Sequence, residues 1–461
     1  GVDAGDAFGQ SVSLNYSANI LAVSAPSHSG VNQYAGHVRI FSWNGSAWVQ
    51  MGSAIDGEAA LDYSGYDIAL NGPGNKVVIG ATDAKNSGNF TVGHLRVYGW
   101  NGTAWVQQGN DLDGIDTGEE LGRSVAINYS GSRIAGGSPY RGNSNGAVTI
   151  WEWDGNTWSI MDTSIFGDDS YETSGFDVSL DSLGNNVAIA SPSGEDSLGI
   201  TKGAIRVFSW SGTSWVAKGL KIFGSNEDDF FGRTVSISAD GNTVAAGATD
   251  NNNDKGYVRI FDWNGNSWVQ RGNDIEGESN GDNSGKAISL SADGNTIAIG
   301  SPENSDNGSS SGHVRVFAWD GSAWQQVGSA FEGAATGDDF GKSVSVTNGG
   351  WGLAVGGPRN SDSGYLAGHV RAYHYSGIGL REFIQNTTLV YPNPSSGTFK
   401  IELTQNETID LKIYNTMGEL IYTEEKFDTS MSIRLSRPAG LYILVIQTKN
   451  ETKLAKLLLK N

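Results

Sequence analysis

Short runs of alternating apolar and polar residues recur along most of the chain at a nearly fixed spacing. Ser11–Asn15 (SVSLN), Thr234–Ser238 (TVSIS) and Ser343–Thr347 (SVSVT) are examples, and their period of two predicts strands with one buried face. Each run follows a glycine, at Gly9, Gly65, Gly122, Gly175, Gly232, Gly285 and Gly341, separated by 56, 57, 53, 57, 53 and 56 residues. A tight polar turn comes next, cleanest in Ala239-Asp240-Gly241-Asn242 and Ala292-Asp293-Gly294-Asn295, where Asp-Gly supplies the positive φ of a hairpin. A second, continuous apolar strand then ends in Gly or Ala and often Pro, as in Leu21–Pro26 and Ile297–Pro302. After a loop of variable length, a third strand opens at Gly36, Gly93, Gly146, Gly203, Gly256, Gly312 and Gly368, usually as Gly-His-Val-Arg. A fourth is announced by Trp-x-Gly-x-x-Trp, from Trp43/Trp48 to Trp319/Trp324.

Seven units of four strands predict a seven-bladed β-propeller over residues 1–378, because a small sheet with two apolar faces buries them only against neighbouring copies. The tryptophan pairs use twelve of the fourteen tryptophans, and their recurrence points to packing between blades rather than a glycan-stacking ladder. The seventh repeat has no such pair, so its fourth strand is expected at Leu380–Gln385 or from elsewhere. The strand expected just before Gly1 is missing, which predicts that the native gene extends upstream. Residues 379–388 are a linker or closing strand. From Leu389 the pattern changes to alternating strands at Thr398–Leu403, Ile409–Tyr414, Leu420–Thr423, Ser432–Leu435 and Gly440–Gln447, which suits a small β-sandwich over 389–461.

Composition narrows the function. Fifty acidic against thirty basic residues give a formal charge of −20; the tail holds 9 basic and 8 acidic residues, or +1, so the repeats carry −21. Such a charge argues against nucleic acid or an anionic membrane as partner. With no cysteine, disulfides, thiolate metal sites and a cysteine nucleophile are excluded. No apolar run is long enough to span a bilayer as a helix. Nothing suggests self-association, and a monomer is expected.

The repeats resemble the FG-GAP propeller of integrin α subunits and its bacterial relatives. Phe8-Gly9, Phe231-Gly232 and Phe340-Gly341 match the first half of the motif; Ser24-Ala25-Pro26, Gly300-Ser301-Pro302 and Gly356-Gly357-Pro358 match the second. The family's Asp-x-Asp-x-Asp-Gly calcium loop has shrunk here to Ala-Asp-Gly-Asn, so its calcium ligands are not carried over. The tail is similar to the type A C-terminal sorting domain of the type IX secretion system of Bacteroidota. The matching segments are Tyr391-Pro392-Asn393-Pro394 with Gly397, Ile413 to Gly418, Pro438-Ala439-Gly440-Leu441-Tyr442, and Lys453 to Lys460, which includes Lys456. This resemblance implies export across the outer membrane, recognition by the translocon, and secretion or attachment at the surface of a Gram-negative cell.

A carboxylate stands three residues before every repeat glycine: Asp6, Asp62, Glu119, Glu172, Asp229, Asp282 and Asp338. Seven acids in a ring could bind cations, but a group present in every blade serves the fold more simply, by capping turn N–H groups or pairing with the third-strand arginines. Those arginines are Arg39, Arg96, Arg206, Arg259, Arg315 and Arg371, with Thr149 breaking the series. The variable loops between second and third strands share a face with these acids. Recognition sits most often on such loops, so their off-pattern residues, His28, Tyr34, Lys85, Phe90, Tyr140, Arg141, Glu195, Lys202, Arg359 and Tyr365, form the candidate binding surface. No metal or cofactor is assigned. Calcium is a minor alternative at Asp250–Asp254, where Lys255 falls where an EF-type loop wants glycine.

Four of six histidines, His37, His94, His313 and His369, occupy one repeat slot and read as structural. No catalytic triad signature, zinc motif or phosphate loop is present. The expectation is therefore a non-catalytic, adhesin- or lectin-like surface protein that binds a glycan or protein. The rivals are an extracellular polysaccharide hydrolase or lyase, and a structural spacer. A single electropositive or aromatic cleft would favour the enzyme; a flat, acidic, repeat-symmetric face would favour binding.

Overall fold

The computed structural model describes residues 1–374 other than 2, 31, 348 and 351, and tail residues 389–391, 398–415, 420–435, 437–438, 440–447 and 452–459. The expected closing strand at 380–385 and the sorting-signal residues Pro392, Asn393, Pro394 and Gly418 lie outside the described residues. Two compact units emerge, Gly1–Gly379 and Leu380–Asn461.

The first unit contains seven antiparallel sheets in chain order. In the first, the inner strand Val12–Leu14 pairs with Ile20–Ala25, which pairs with His37–Trp43. The outer edge differs from a simple fourth strand. Trp48–Gln50 pairs with the end of His37–Trp43, and a separate two-residue strand, Ile55–Asp56, returns to pair with its beginning. Gly52, at φ +69°, interrupts the edge between them against the Trp100 ring of the next sheet. The Trp-x-Gly-x-x-Trp motif is the hairpin itself: Trp43 and Trp48 face each other across the ladder with ring centroids 5.6 Å apart.

The cores lie between sheets. Ala22, Val38, Ile40 and Ile55 of the first sheet pack with Ile68, Leu70, Val77 and Ile79 of the second. Equivalent clusters occur at each later junction. The last one joins Phe8, Val12, Leu21 and Val23 to Ala354 and Val370 of the seventh sheet. The ring therefore closes through apolar burial, and through hydrogen bonds from Leu14 N to Ser345 Oγ (3.0 Å) and from Phe8 N to Ala367 O (3.0 Å). Tryptophan adds a polar clamp at the junctions: the indole N–H of Trp105, Trp158, Trp268 and Trp324 donates to a carbonyl of the preceding sheet, at Met51, Gln108, Lys218 and Arg271.

The repeat glycine is fixed by backbone geometry. Gly341 has φ +95°, and a Cβ there would lie 2.6 Å from the carbonyl oxygen of His313, the residue that opens the neighbouring third strand. No side chain fits both conditions.

In the tail, the strands expected at 398–403 and 409–414 are one long strand, Thr398–Asn415, paired with Leu420–Arg434 and broken in register between Glu402 and Glu407. Phe399 and Leu411 share one core cluster with Ile413, Ile433, Leu435, Tyr442 and Leu444. A straight strand would hold residues twelve apart about 40 Å from each other, so the strand folds over at the irregularity and supplies both faces of the core. Gly440 begins the strand Gly440–Gln447 and Lys456 lies in Thr452–Leu459. Tyr442 is buried, its hydroxyl donating to Pro438 O at 2.9 Å.

Candidate functional site

The seven inner strands line the axis of the ring, and the residue following each repeat glycine points to the same place. Gln10, Tyr66, Arg123, Phe176, Arg233, Lys286 and Lys342 surround the mouth of an axial pocket of about 260 Å³. Its wall continues with Ser11, Asp67, Ser124, Asp177, Thr234, Ala287 and Ser343, one residue further along the chain at the start of each inner strand. Four cations and two aromatics thus converge in a chain of net charge −20.

The aromatics hold the arginines in place. Arg123 lies over Tyr66 (5.1 Å) and Phe176 (4.5 Å), and Arg233 covers Phe176 at 4.6 Å. Crowding shows in the protonation equilibria. Burial, and then Arg233 and Lys342, pull Lys286 down to about 8, with Glu303 and Asp250 pulling the other way. Lys342 and Arg233 are lowered too, chiefly by burial. Beneath them, desolvation raises Asp177 to about 7 and raises Asp67. Both carboxylates are tied into the scaffold: Asp67 accepts from Ser11 Oγ and Val125 N (both 2.8 Å), Asp177 from Val178 N (2.9 Å) and Val235 N (2.8 Å). The pocket is thus a cationic rim over a hydrogen-bonded floor.

The repeat carboxylates form a separate, outer ring. Asp6, Asp62, Glu119, Glu172, Asp229, Asp282 and Asp338 each accept a hydrogen bond from a backbone N–H three or four residues earlier, at 2.6 to 3.0 Å. Variable-loop residues meet several of them. His28 Nδ1 is 2.8 Å from Asp6; Asn304 and Asn360 donate to Asp282 and Asp338 at 3.1 and 3.0 Å. Arg141 Nε stands 3.3 Å from Glu119, bringing a guanidinium to the one repeat whose third strand offers Thr149 instead of arginine.

Of the loop candidates, His28 and Arg141 are therefore mostly buried against the acid ring. Lys202 pairs with Asp196 at 3.0 Å, and Lys85 and Glu195 lie in loop bridges to Thr91 and Thr201. Tyr34 stacks on Tyr63 at 5.8 Å. Phe90 and Tyr365 are exposed, as is Arg359, which pairs with Asp339 at 3.2 Å. Tyr140 acts electrostatically on Arg233 of the axial rim, and Arg359 on Lys342. At the loop considered for calcium, Asn251–Asp254 form a single helical turn.

The rim residues were not among the candidates the sequence singled out. Their signal is positional: each directly follows a landmark glycine, and the column reads Gln, Tyr, Arg, Phe, Arg, Lys, Lys.

Residues 389–460 match the secretion system C-terminal sorting domain family. The protein is exported by the type IX system. It is a secreted or cell-surface protein, and among the described residues no helix is long and apolar enough to cross a membrane. No curated protein matches the chain in sequence. Among solved structures it is similar to a chain of the Kuenenia stuttgartiensis hydrazine synthase (11% identity, TM-score 0.54, covering 81% of this chain and 97% of that one). It is also similar to the Pseudomonas aeruginosa periplasmic gluconolactonase (11%, TM-score 0.49, 96% and 99%) and to the β-propeller domain of the Pyrococcus furiosus Trilobed protease (13%, TM-score 0.34, 73% and 94%). The fold is that of a β-propeller. The expectation that the chain is no enzyme is corrected by the first of these similarities: the hydrazine synthase chain has the same fold, so a propeller of this kind gives no ground for excluding catalysis.

Proposed function

We propose that this secreted propeller, which we read as FG-GAP-like, takes an anionic extracellular polysaccharide, uronate-bearing or sulfated, into its axial pocket. The observation that carries the reading is the convergence of Arg123, Arg233, Lys286 and Lys342 beside Tyr66 and Phe176 in a chain that is otherwise strongly acidic. Aromatic faces suit sugar rings and guanidinium forks suit carboxylate and sulfate; the net charge of −20 opposes an anion at long range, so the attraction is the local one of the clustered rim cations. The test is affinity electrophoresis of the full chain through acidic polysaccharides and their neutral counterparts. Retardation by the acidic polymers alone, lost in K286Q/K342Q, supports the reading; equal mobility in all gels overturns it.

Cleavage of the bound chain is the second reading, favoured by Lys286 at about 8 among fixed cations. In a uronate polymer, arginine neutralises the carboxylate, a base removes the C5 proton, the C4–O bond breaks and the leaving oxygen takes a proton, leaving a C4–C5 double bond. Lys286 has the proton affinity for the base. Appearance of the unsaturated chromophore, or of shortened chains, marks this reading; intact polymer after prolonged incubation removes it.

A further inference from the structure

We propose that Glu278, Asp306 and His313 form a site for a divalent transition-metal ion of the zinc type, and that Glu58, His94 and Asp111 form a second. His313 opens the strand His313–Trp319 and is fully buried, yet neither ring nitrogen has a hydrogen-bond partner. Its Nδ1 lies 3.7 Å from a Glu278 carboxylate oxygen, too far for a hydrogen bond, and one donor atom from each of the three residues lies within 4.8 Å of the others. Leaving a buried imidazole unpaired is costly, and an ion between the three groups removes that cost.

The second cluster has the same histidine and glutamate slots, with its other carboxylate, Asp111, coming from beside the outer strand Leu112–Asp113 rather than from the loop after the second strand. His94 is buried with Nε2 unpartnered, and a carboxylate oxygen of Glu58 and one of Asp111 lie within 4.8 Å of each other and of a ring nitrogen, a like-charge contact that a cation relieves. The sequence couples these residues. Histidine opens four third strands, at His37, His94, His313 and His369, and the loop glycine of the same repeat is followed by glutamate in two of them, at Glu58 and Glu278, and in no other repeat. Where Asp168 takes that place, the third strand opens with Ala204 and Arg206 pairs with the carboxylate at 2.8 Å. The similar trio Asp3, Asp6 and His28 already has its histidine bonded to Asp6 and is not included.

One imidazole with two carboxylates suits zinc or its neighbours, whereas calcium and magnesium ask for oxygen alone. Arg315 at 3.8 Å from Glu278 and Arg96 at 3.5 Å from Glu58 compete for the carboxylates, which sets the affinity below that of a buried structural zinc site. The experiment is calorimetric titration of the untagged, chelator-treated full chain with Zn²⁺, and with Ca²⁺ as comparator. Two saturable zinc equivalents are expected, with no calcium heat; H313Q and the exposed-ligand variant D306N should each lose one, and H94Q/H313Q both. X-ray absorption of the zinc-loaded protein should show a single imidazole per ion. No saturable zinc uptake by the wild type, or unchanged stoichiometry in folded D306N and H94Q/H313Q, overturns the proposal.

Discussion

Replacing two rim lysines tests the axial pocket most directly. A ligand anion about 5 Å from a lysine interacts with it by about 3 kcal/mol at an effective dielectric of about 20. Desolvation of both partners leaves a net of roughly 1 kcal/mol per charge-assisted contact. K286Q/K342Q should therefore weaken binding of an acidic polysaccharide by about 30-fold, from two such contacts. The loss should shrink as ionic strength rises, because the rim is open to water. Protonation adds a second handle. Lys286 is held to about 8, so it is charged at pH 7 and mostly neutral at pH 9.5. Anion affinity should fall in two stages, first around pH 7 as Asp177 beneath the rim ionises and then by about fivefold towards pH 9.5 as Lys286 loses its proton, with K286R abolishing most of the second fall because its guanidinium keeps the proton. Stability runs the other way: a lysine whose folded value is lowered destabilises the fold while protonated, and the burden is relieved as pH rises through 8. Calorimetry between pH 6 and 9.5 at two salt concentrations reads both effects. Affinity indifferent to pH, to salt and to the double substitution would refute the electrostatic reasoning.

Three other outcomes are expected. Asp338→Ala leaves the N–H groups of Ala334 and Ala335 and the amide of Asn360 without their acceptor, costing about 2 kcal/mol, read as a lowered midpoint in urea or heat. Gly341→Ala meets both the positive φ and the His313 carbonyl and should cost at least about 3 kcal/mol, whereas Gly321→Ala, at φ +99° with nothing within 4 Å, should cost only about 1 to 2. Removing residues 389–461 should strand the propeller inside the outer membrane, visible by cell fractionation; surface display of the truncated chain would contradict the role of the matched domain.

The fold was legible because it is repetitive. Seven landmark glycines, six tryptophan hairpins and the alternating inner strands give one sheet, and copying it leaves each apolar face only a neighbour to pack against, as at Ile40 with Ile79. The outer edge was read less well, since the short strand Ile55–Asp56 has too few residues to show a period. In the tail, a bent strand reads as two because the pattern lapses at the irregularity near Glu402. Reading loops for variability found residues such as Tyr140 and Arg359, but not the rim. Lys286 and Lys342 sit between the landmark glycine and the inner strands Ala287–Leu290 and Ser343–Val346, where a polar residue looks like the start of ordinary alternation. That seven inner strands converge on one axis is a property of the ring, and no single repeat contains it.

Departures from the repeat therefore need sorting by what their neighbours do. Thr149 breaks the arginine series, yet Arg141 brings a guanidinium to Glu119 from the adjoining loop, so the charge pairing survives and the break is absorbed by the fold. The column after the repeat glycine behaves differently. The backbone asks nothing of these side chains, because the inner-strand hydrogen bonds are made one residue and three residues further on, by Asp67, Asp177 and by serines such as Ser13 and Ser236. Four of the seven are nonetheless cations, lowered towards deprotonation where the three buried deepest crowd one another, and no carboxylate of the pocket floor is free to pair with them. Arg123 is paired with Glu120 at 3.0 Å, and Asp339, Glu303 and Asp250 offset part of the charge on Lys342, Lys286 and Arg233 from around the rim. Asp67 and Asp177 inside the pocket, however, are engaged by the scaffold, which leaves the axial side of the cations to an entering anion. That is the physical reason for placing recognition at the axis rather than on the outer acid ring, where each carboxylate has its donors within the chain.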